Sequence, residues 1–475
     1  MSVRRLCLLA IAVCSLAPAG ATAAETPPGA HSPNMTYVKN IAYEARNGDA
    51  PNYGTDQEFT KIRGKRYGLF GSYMNGMQIA NVTKPAKARI VGVYDCGITQ
   101  GDVQIFRQRD ERRRVFATYT SDATGDGTSK CYREAAKLGF EVQQEDGSGR
   151  NGTFIVDVTR PSKPKTVSFV EVEQGSHNMT VHPSGNWLYN SNSDLITSLD
   201  PAIEVFDITN PAKPKSAAEL TLPVRPGLGT ESHDISFSPD GKRAYSAALS
   251  QGVIIDTTDP GKPSVLTTFV DPTINVWHQM EIITIGGRDF LIAEDEFAGA
   301  AGGPVCPSGG VHVYDVTGDL ELSPEKVGYW NIDEFRPTTG PEQTCTAHVF
   351  QLHRKAQVMT IAFYNGGVRV VDLSDLAGYS LGANQLSGGM KEIGYYRLDD
   401  ADSWSAKTPS IRRGKSFHVY GNDIARGLDI YRFDWDAGES KAAGTWLSPK
   451  QAARRLGGAS IGALSGYRMN CLLAR

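Results

Sequence analysis

The sequence predicts an all-β fold: a seven-bladed β-propeller of four-stranded antiparallel blades, closed by an N-terminal strand. Three observations carry this. A segment of aliphatic strand, Asp and proline turn recurs along the chain, and the spacing of its copies is that of propeller blades. The composition is rich in turn formers, with Gly 50 and Pro 25 among 475 residues.

The copies are GTFIVDVTRPSKP at 152, AIEVFDITNPAKP at 202, QGVIIDTTDPGKP at 251, GGVHVYDVTGDLELSP at 309 and GGVRVVDLSDLAG at 366. GMQIANVTKPAKA at 76 is an earlier copy with Asn81 at the Asp position, and RGLDIYRFDW at 426 a degenerate last one with Arg432 there. The markers Asn81, Asp157, Asp207, Asp256, Asp315, Asp372 and Arg432 are separated by 76, 50, 49, 59, 57 and 60 residues. In each copy β-branched and aromatic residues form a strand, a short polar residue and Pro turn the chain, and a second apolar run follows. Ahead of the motif stand strand pairs joined by tight turns, clearest in HDISFSPDGKRAYSAAL at 233 and HNMTVHPSGNWLYNSN at 177. Each blade thus has four strands and cannot bury both faces alone, so the copies must stack around an axis. MTYVKNIAYE at 35 reads as an outermost strand that completes the last blade and removes a free sheet edge.

The strand IVDVTRPSKP and its sisters resemble the LVIVD repeat of bacterial exported propeller proteins. The resemblance covers most of residues 35 to 435 and implies the fold. It implies no particular activity, because that family is defined by its repeat; Asn81 and Arg432 depart from the repeat's Asp.

The chain opens with Arg4 and Arg5, an apolar core from Leu6 to Leu16 and a small-residue cleavage site at Ala21-Thr22-Ala23. This is the pattern of a Sec-type signal peptide, and it predicts a secreted or periplasmic bacterial protein. The expected organisation is a signal peptide over 1–24, a linker over 25–34, the propeller over 35–436 and a tail over 437–475. Charge is balanced, Lys+Arg 49 against Asp+Glu 52, which argues against capture of nucleic acid or an anionic membrane. No membrane span is expected after signal removal, and the chain reads as a monomer.

Beyond the signal lie Cys96, Cys131, Cys306, Cys345 and Cys471. An exported compartment favours disulfides, and no C-x-x-C spacing suggests metal binding. Cys96 falls in the connection leaving the first blade and Cys131 in a long insertion of the next. Cys306 and Cys345 occupy the same two kinds of loop around the fifth blade. The expected pairs are Cys96–Cys131 and Cys306–Cys345, with Cys471 left over.

His177, His233, His278 and His348 each begin the innermost strand of four successive blades, whereas Gln57 or Glu58, Asp102 and Trp404 hold that place elsewhere. Convergent neutral imidazoles suit Cu, Zn or Fe. The competing reading is that a repeated His merely bonds a neighbouring blade's loop. Asp234 and the run Glu294-Asp295-Glu296 are the candidate carboxylates behind such a site. DATGDG at 122 lacks the bidentate Glu of a calcium loop and reads as a turn. His182, His312, His353 and His418 share no common position, and no G-x-S-x-G, P-loop or H-E-x-x-H motif is present.

Two functions follow as expectations. The first is a binding scaffold that presents one loop-rich, His-lined face to a protein, glycan or cell-envelope partner. The second is a metal-dependent oxidoreductase with its His cluster at the channel mouth, similar to the selenium-binding, methanethiol oxidase-like propellers. A hydrolase or lyase using Glu and His is the third and least supported reading.

Overall fold

The computed structural model of the chain describes residues 27–108, 113–172, 175–192, 201–296, 305–306, 309–332, 336–337, 345–378 and 389–435. Seven four-stranded antiparallel blades follow one another and close into a ring. Named from the innermost strand outward, blade 1 comprises Gly54–Ile62, Lys65–Ser72, Met77–Asn81 and Arg89–Tyr94. Blade 2 comprises Gln100–Phe106, Phe116–Ser121, Gly152–Asp157 and Lys165–Glu171. Blade 3 uses Asn178–Val181, Trp187–Ser191, Ala202–Asp207 and Lys215–Thr221, and blade 4 Asp234–Phe237, Arg243–Ala248, Gln251–Asp256 and Ser264–Phe269. Blade 5 uses Trp277–Ile285, Arg288–Asp295, Val311–Asp315 and Glu325–Trp330, and blade 6 His348–His353, Val358–Ala362, Val368–Asp372 and Lys391–Leu398. Blade 7 takes Ser403–Lys407, Phe417–Asp423 and Gly427–Phe433 from the end of the chain and Met35–Ile41 from its start.

The repeat motif earns its Asp at the end of each third strand. The Asp157, Asp207, Asp256 and Asp315 side chains accept the backbone N–H two residues on at 2.9, 2.7, 2.8 and 2.9 Å. Asp372 does the same toward Ser374 and Asn81 toward Thr83. This is an Asx turn, which Asn performs as well as Asp. It starts the reversal into the outermost strand, whose pairing with the third strand slips by one residue in every blade. Such a bulge adds local twist.

Apolar side chains fill the space between neighbouring blades. Ile79 of blade 1 shares a cluster with Val103 and Phe154 of blade 2, and Ile155 of blade 2 one with Met179 and Leu188 of blade 3. Equivalent clusters join blades 3 and 4, 4 and 5, 5 and 6, and 6 and 7. The ring closes where Tyr420 and Ile430 of blade 7 pack with Phe70 and Ala80 of blade 1. Each fully buried aliphatic or aromatic side chain in these seams contributes about 1.5–3 kcal/mol.

The closing strand behaves as expected, with Met35 opposite Phe433 and Ile41 opposite Leu428. Asp429, fully buried, ties it down: its carboxylate accepts from Tyr37 Oη at 3.0 Å, Asn40 Nδ2 at 3.0 Å and Arg426 Nε at 2.7 Å. The expected linker is partly a strand, because Gly29–His31 pairs with the outer edge of blade 6. A Cβ at Gly29 would collide with the Arg397 carbonyl, so this short segment is chosen by backbone approach and shows no strand periodicity. The proposed signal peptide and the tail with Cys471 lie outside the described residues.

Cys96 and Cys131 form the expected disulfide, with Cα atoms 5.0 Å apart. Cys131 sits on a short helix, Lys130–Lys137, within the insertion that separates the second and third strands of blade 2. Cys345 is also disulfide-bonded. The side chain of Cys306, its expected partner, lies outside the described residues, while its backbone pairs with Arg336. Among the described residues no helix is long and apolar enough to cross a membrane.

Hydrogen bonds from Thr258 hold the Asp256 carboxylate below the usual carboxylate range, with Arg243 adding to the effect. Below about pH 4 the native state therefore binds fewer protons at this site than the unfolded chain, and its contribution is lost as pH falls. Asp256→Ala should cost about 1 kcal/mol in urea unfolding at pH 7. Asp256→Asn should keep the turn and weaken the pH dependence; an Asn variant as unstable as the Ala variant would contradict the turn role. Asp429→Ala leaves the Arg426 guanidinium without its strongest partner and should cost about 3 kcal/mol, against less for Asp429→Asn.

Candidate metal centre

The innermost strands of a propeller run side by side around the axis, so residues that begin them meet at one end of the channel. His177 and His233 extend their strands by one residue, donating backbone N–H groups to Ser191 and Ala247 carbonyls at 2.7 and 2.8 Å. His278 lies in a bulge, since Trp277 pairs with Asp295 and Gln279 with Glu294. The extra residue is thereby turned toward the axis. His348 opens its own strand opposite Ala362.

The four rings form an arc. Successive ring centres are 4.0 Å apart from His177 to His233, 4.2 Å from His233 to His278 and 4.4 Å from His278 to His348. None of the four is more than 1% exposed. They are therefore not a surface that a macromolecule could touch, contrary to the expectation of a His-lined docking face. A cavity of about 330 Å³ reaches three of them, His177, His278 and His348, running inside the innermost strands past Asp102 and Asp234 to Lys407 and Arg354 at the far ends.

Three of the rings are held through Nδ1. His278 Nδ1 bonds Glu294 Oε2 at 2.8 Å, His177 Nδ1 bonds Asp122 Oδ1 at 2.7 Å, and His348 Nδ1 bonds the Trp404 carbonyl at 2.6 Å. With Nδ1 as the donor, each Nε2 carries the ring's lone pair and serves as an acceptor. The Nε2 atoms of His278 and His348 each lie 3.6 Å from Glu296, on its two different oxygens. His348 Nε2, fully buried, makes no hydrogen bond among the described residues. Ligand atoms of His233, His278 and Glu296 all fall within 4.8 Å of one another. Glu296 is fixed from outside by Tyr364 Oη, which donates to Oε1 at 2.7 Å, and by its own N–H to the Val276 carbonyl.

Burial, reinforced by His177, His278 and His348, pushes His233 well below the ordinary imidazole range, and burial does the same to His278 and His348. Burial pushes Glu294 and Glu296 well above the carboxyl range. Burial thus disfavours the charged forms of these three imidazoles and two carboxyl groups.

Of the four carboxylates singled out in the sequence, Glu294 and Glu296 touch the histidines. Asp295 does not: it accepts from Val276 N–H at 2.9 Å and Asn275 at 3.2 Å, because strand alternation turns it to the opposite face, and burial pushes it up to about 7. Asp234 lines the channel and makes no hydrogen bond to any of the four rings among the described residues. The sequence presents Asp122 only as part of a calcium-loop fragment that reads as a turn, and it does not single out Tyr364. Both follow the end of a second strand, as Glu294–Glu296 ends or follows one in blade 5, so aligning second-strand exits across blades would have found them. Two other histidines are tied to the scaffold. His182 Nε2 bonds the Gly241 carbonyl at 2.8 Å, and His312 Nδ1 takes a hydrogen bond from Lys326 Nζ at 2.8 Å.

No protein-family model matches the chain. No curated protein matches it either. The likeness to the LVIVD repeat therefore rests on the repeat residues themselves. Among solved structures the chain is similar to a functionally unknown protein from Desulfotomaculum acetoxidans DSM 771, at 14% identity and a TM-score of 0.44, over 72% of this chain and 89% of that one. It is also similar to the β-propeller domain of Cps50 (Swd1) from Myceliophteria thermophila, at 9% identity and a TM-score of 0.49, over 84% of this chain and 99% of that one.

Proposed function

We propose that the chain is an exported metalloprotein whose channel end binds one transition-metal ion, iron, copper or zinc, through His233, His278, His348 and Glu296, with His177 completing the arc. The reaction class we assign is a metal-dependent oxidoreductase acting on a small polar molecule. The observation that carries this reading is the pair of Nε2 atoms, on His278 and His348, that face the two oxygens of one buried carboxylate.

The donor set fits such an ion. An imidazole nitrogen bound at roughly 2.1 Å puts its ring centre roughly 3.2 Å from the metal, so rings at right angles stand roughly 4.5 Å apart. The spacings of 4.0–4.4 Å are close to that value. Two imidazoles and a carboxylate on one side of a site suit iron(II), and further imidazoles suit copper or zinc. The carboxylates on Nδ1 of His177 and His278 supply the outer contacts that orient metal-binding imidazoles. A redox-active ion would supply one-electron or oxygen chemistry here. The residues themselves hold the donors and line a channel of about 330 Å³ that leads to His177, His278 and His348.

Elemental analysis of the purified protein should find about one equivalent of iron, copper or zinc per chain. His233→Ala combined with His278→Ala should bring this below about a tenth of an equivalent while circular dichroism stays that of a folded β protein. A wild-type protein that takes up no transition metal even on reconstitution would end the reading.

A further inference from the structure

His177 differs from its three neighbours in what holds it. Its Nδ1 partner, Asp122, belongs to the insertion between the second and third strands of blade 2, and this insertion is clamped to the connection that enters the blade. The Cys96–Cys131 disulfide makes the clamp, and backbone bonds from Asp126 N–H to the Gly97 carbonyl at 2.7 Å and from Cys131 N–H to the Asp95 carbonyl at 3.2 Å extend it. Both sulfurs are fully buried, so the bond fixes the loops and is not exposed to solvent reductants. The same connection ends at Gln100, whose Nε2 approaches His177 Nε2 at 3.4 Å, the long limit of a hydrogen bond. Gln100 takes a left-handed backbone, with φ 61°, a conformation that a non-glycine residue keeps only where its surroundings impose it. The 2.7 Å contact at Nδ1 is the short one of these two, and an outer carboxylate on Nδ1 is how metal-binding imidazoles are oriented.

We infer that Asp122 is a positioning residue for His177, and that the Cys96–Cys131 clamp serves the metal centre by holding Asp122 against that ring. The inference rests on the metal reading above. It gives the blade 2 insertion a role that its turn-like sequence, DATGDG, does not suggest. The side chain of Asp122 is 16% exposed, so Asp122→Asn can be made without opening the core.

The test uses Asp122→Asn, a Cys96→Ser/Cys131→Ser variant and their combination, titrated with Co(II) and read by visible absorption. The metal-free proteins are compared by proton–nitrogen correlation of the His177 ring. Asp122→Asn should bind Co(II) about 10–100-fold more weakly at unchanged stoichiometry, with a shifted absorption band. The disulfide variant should weaken binding in the same direction, and adding Asp122→Asn to it should cost little more, because the two changes act through one contact. Wild-type affinity in Asp122→Asn, or a full additional loss in the combined variant, would overturn the inference. Should the disulfide variant not fold, Asp122→Asn alone decides. If the wild-type protein binds no Co(II), the metal reading fails, and the ring decides the positioning role separately. A wild-type Nδ1–H form that is lost in Asp122→Asn supports that role, and an unchanged form sinks it.

Discussion

Everything in this molecule depends on apolar packing between the faces of adjacent blades. A four-stranded sheet carrying Val, Ile, Phe and Tyr on both sides has no stable existence alone, and the seven interblade clusters bury both faces only if the ring is complete. Closure is therefore a condition for each blade as well as for the whole. It is met by an N-terminal strand that crosses to the last blade, and the buried Asp429 with Tyr37, Asn40 and Arg426 fastens the join.

The ring also creates the site. Stacking brings the starts of seven innermost strands to one end of a narrow channel, and residues far apart in sequence become neighbours there: His177 and His348 belong to one arc of rings in which no step exceeds 4.4 Å. The bulge at His278 adjusts a ring that strict alternation would have turned elsewhere. Residues that leave second strands, Asp122, Glu294, Glu296 and Tyr364, supply the surrounding oxygens from the neighbouring loops.

The same channel carries opposite charges at its far end, where Lys407 bridges Asp56 at 2.6 Å and Glu58 at 2.9 Å. Burial alone would lower the lysine, and the two carboxylates hold it above its ordinary range. At the histidine end burial instead disfavours the charged forms of His233, His278, His348, Glu294 and Glu296, and among the described residues His348 Nε2 and one oxygen of Glu294 make no hydrogen bond. The contrast between the two ends supports the ion site proposed at the histidine end.

What the sequence determined was the architecture, because the blade is a local object repeated. Asp157, Asp207, Asp256, Asp315 and Asp372 act through an N–H two residues away, and such a contact is legible in any single copy. Their spacing then fixed the blade number, and the position of four histidines within their copies was readable for the same reason. Tertiary structure decided what those histidines touch. Asp122 lies 55 residues from His177 and looks like part of a turn; only the clamped insertion turns it toward the ring. Asp295 lies between two glutamates of the site and is excluded from it by strand alternation, while Gly29–His31 becomes a strand by pairing with a blade more than 360 residues away. Contacts within one repeat follow from periodicity, whereas contacts between repeats depend on loops whose paths the repeat does not encode.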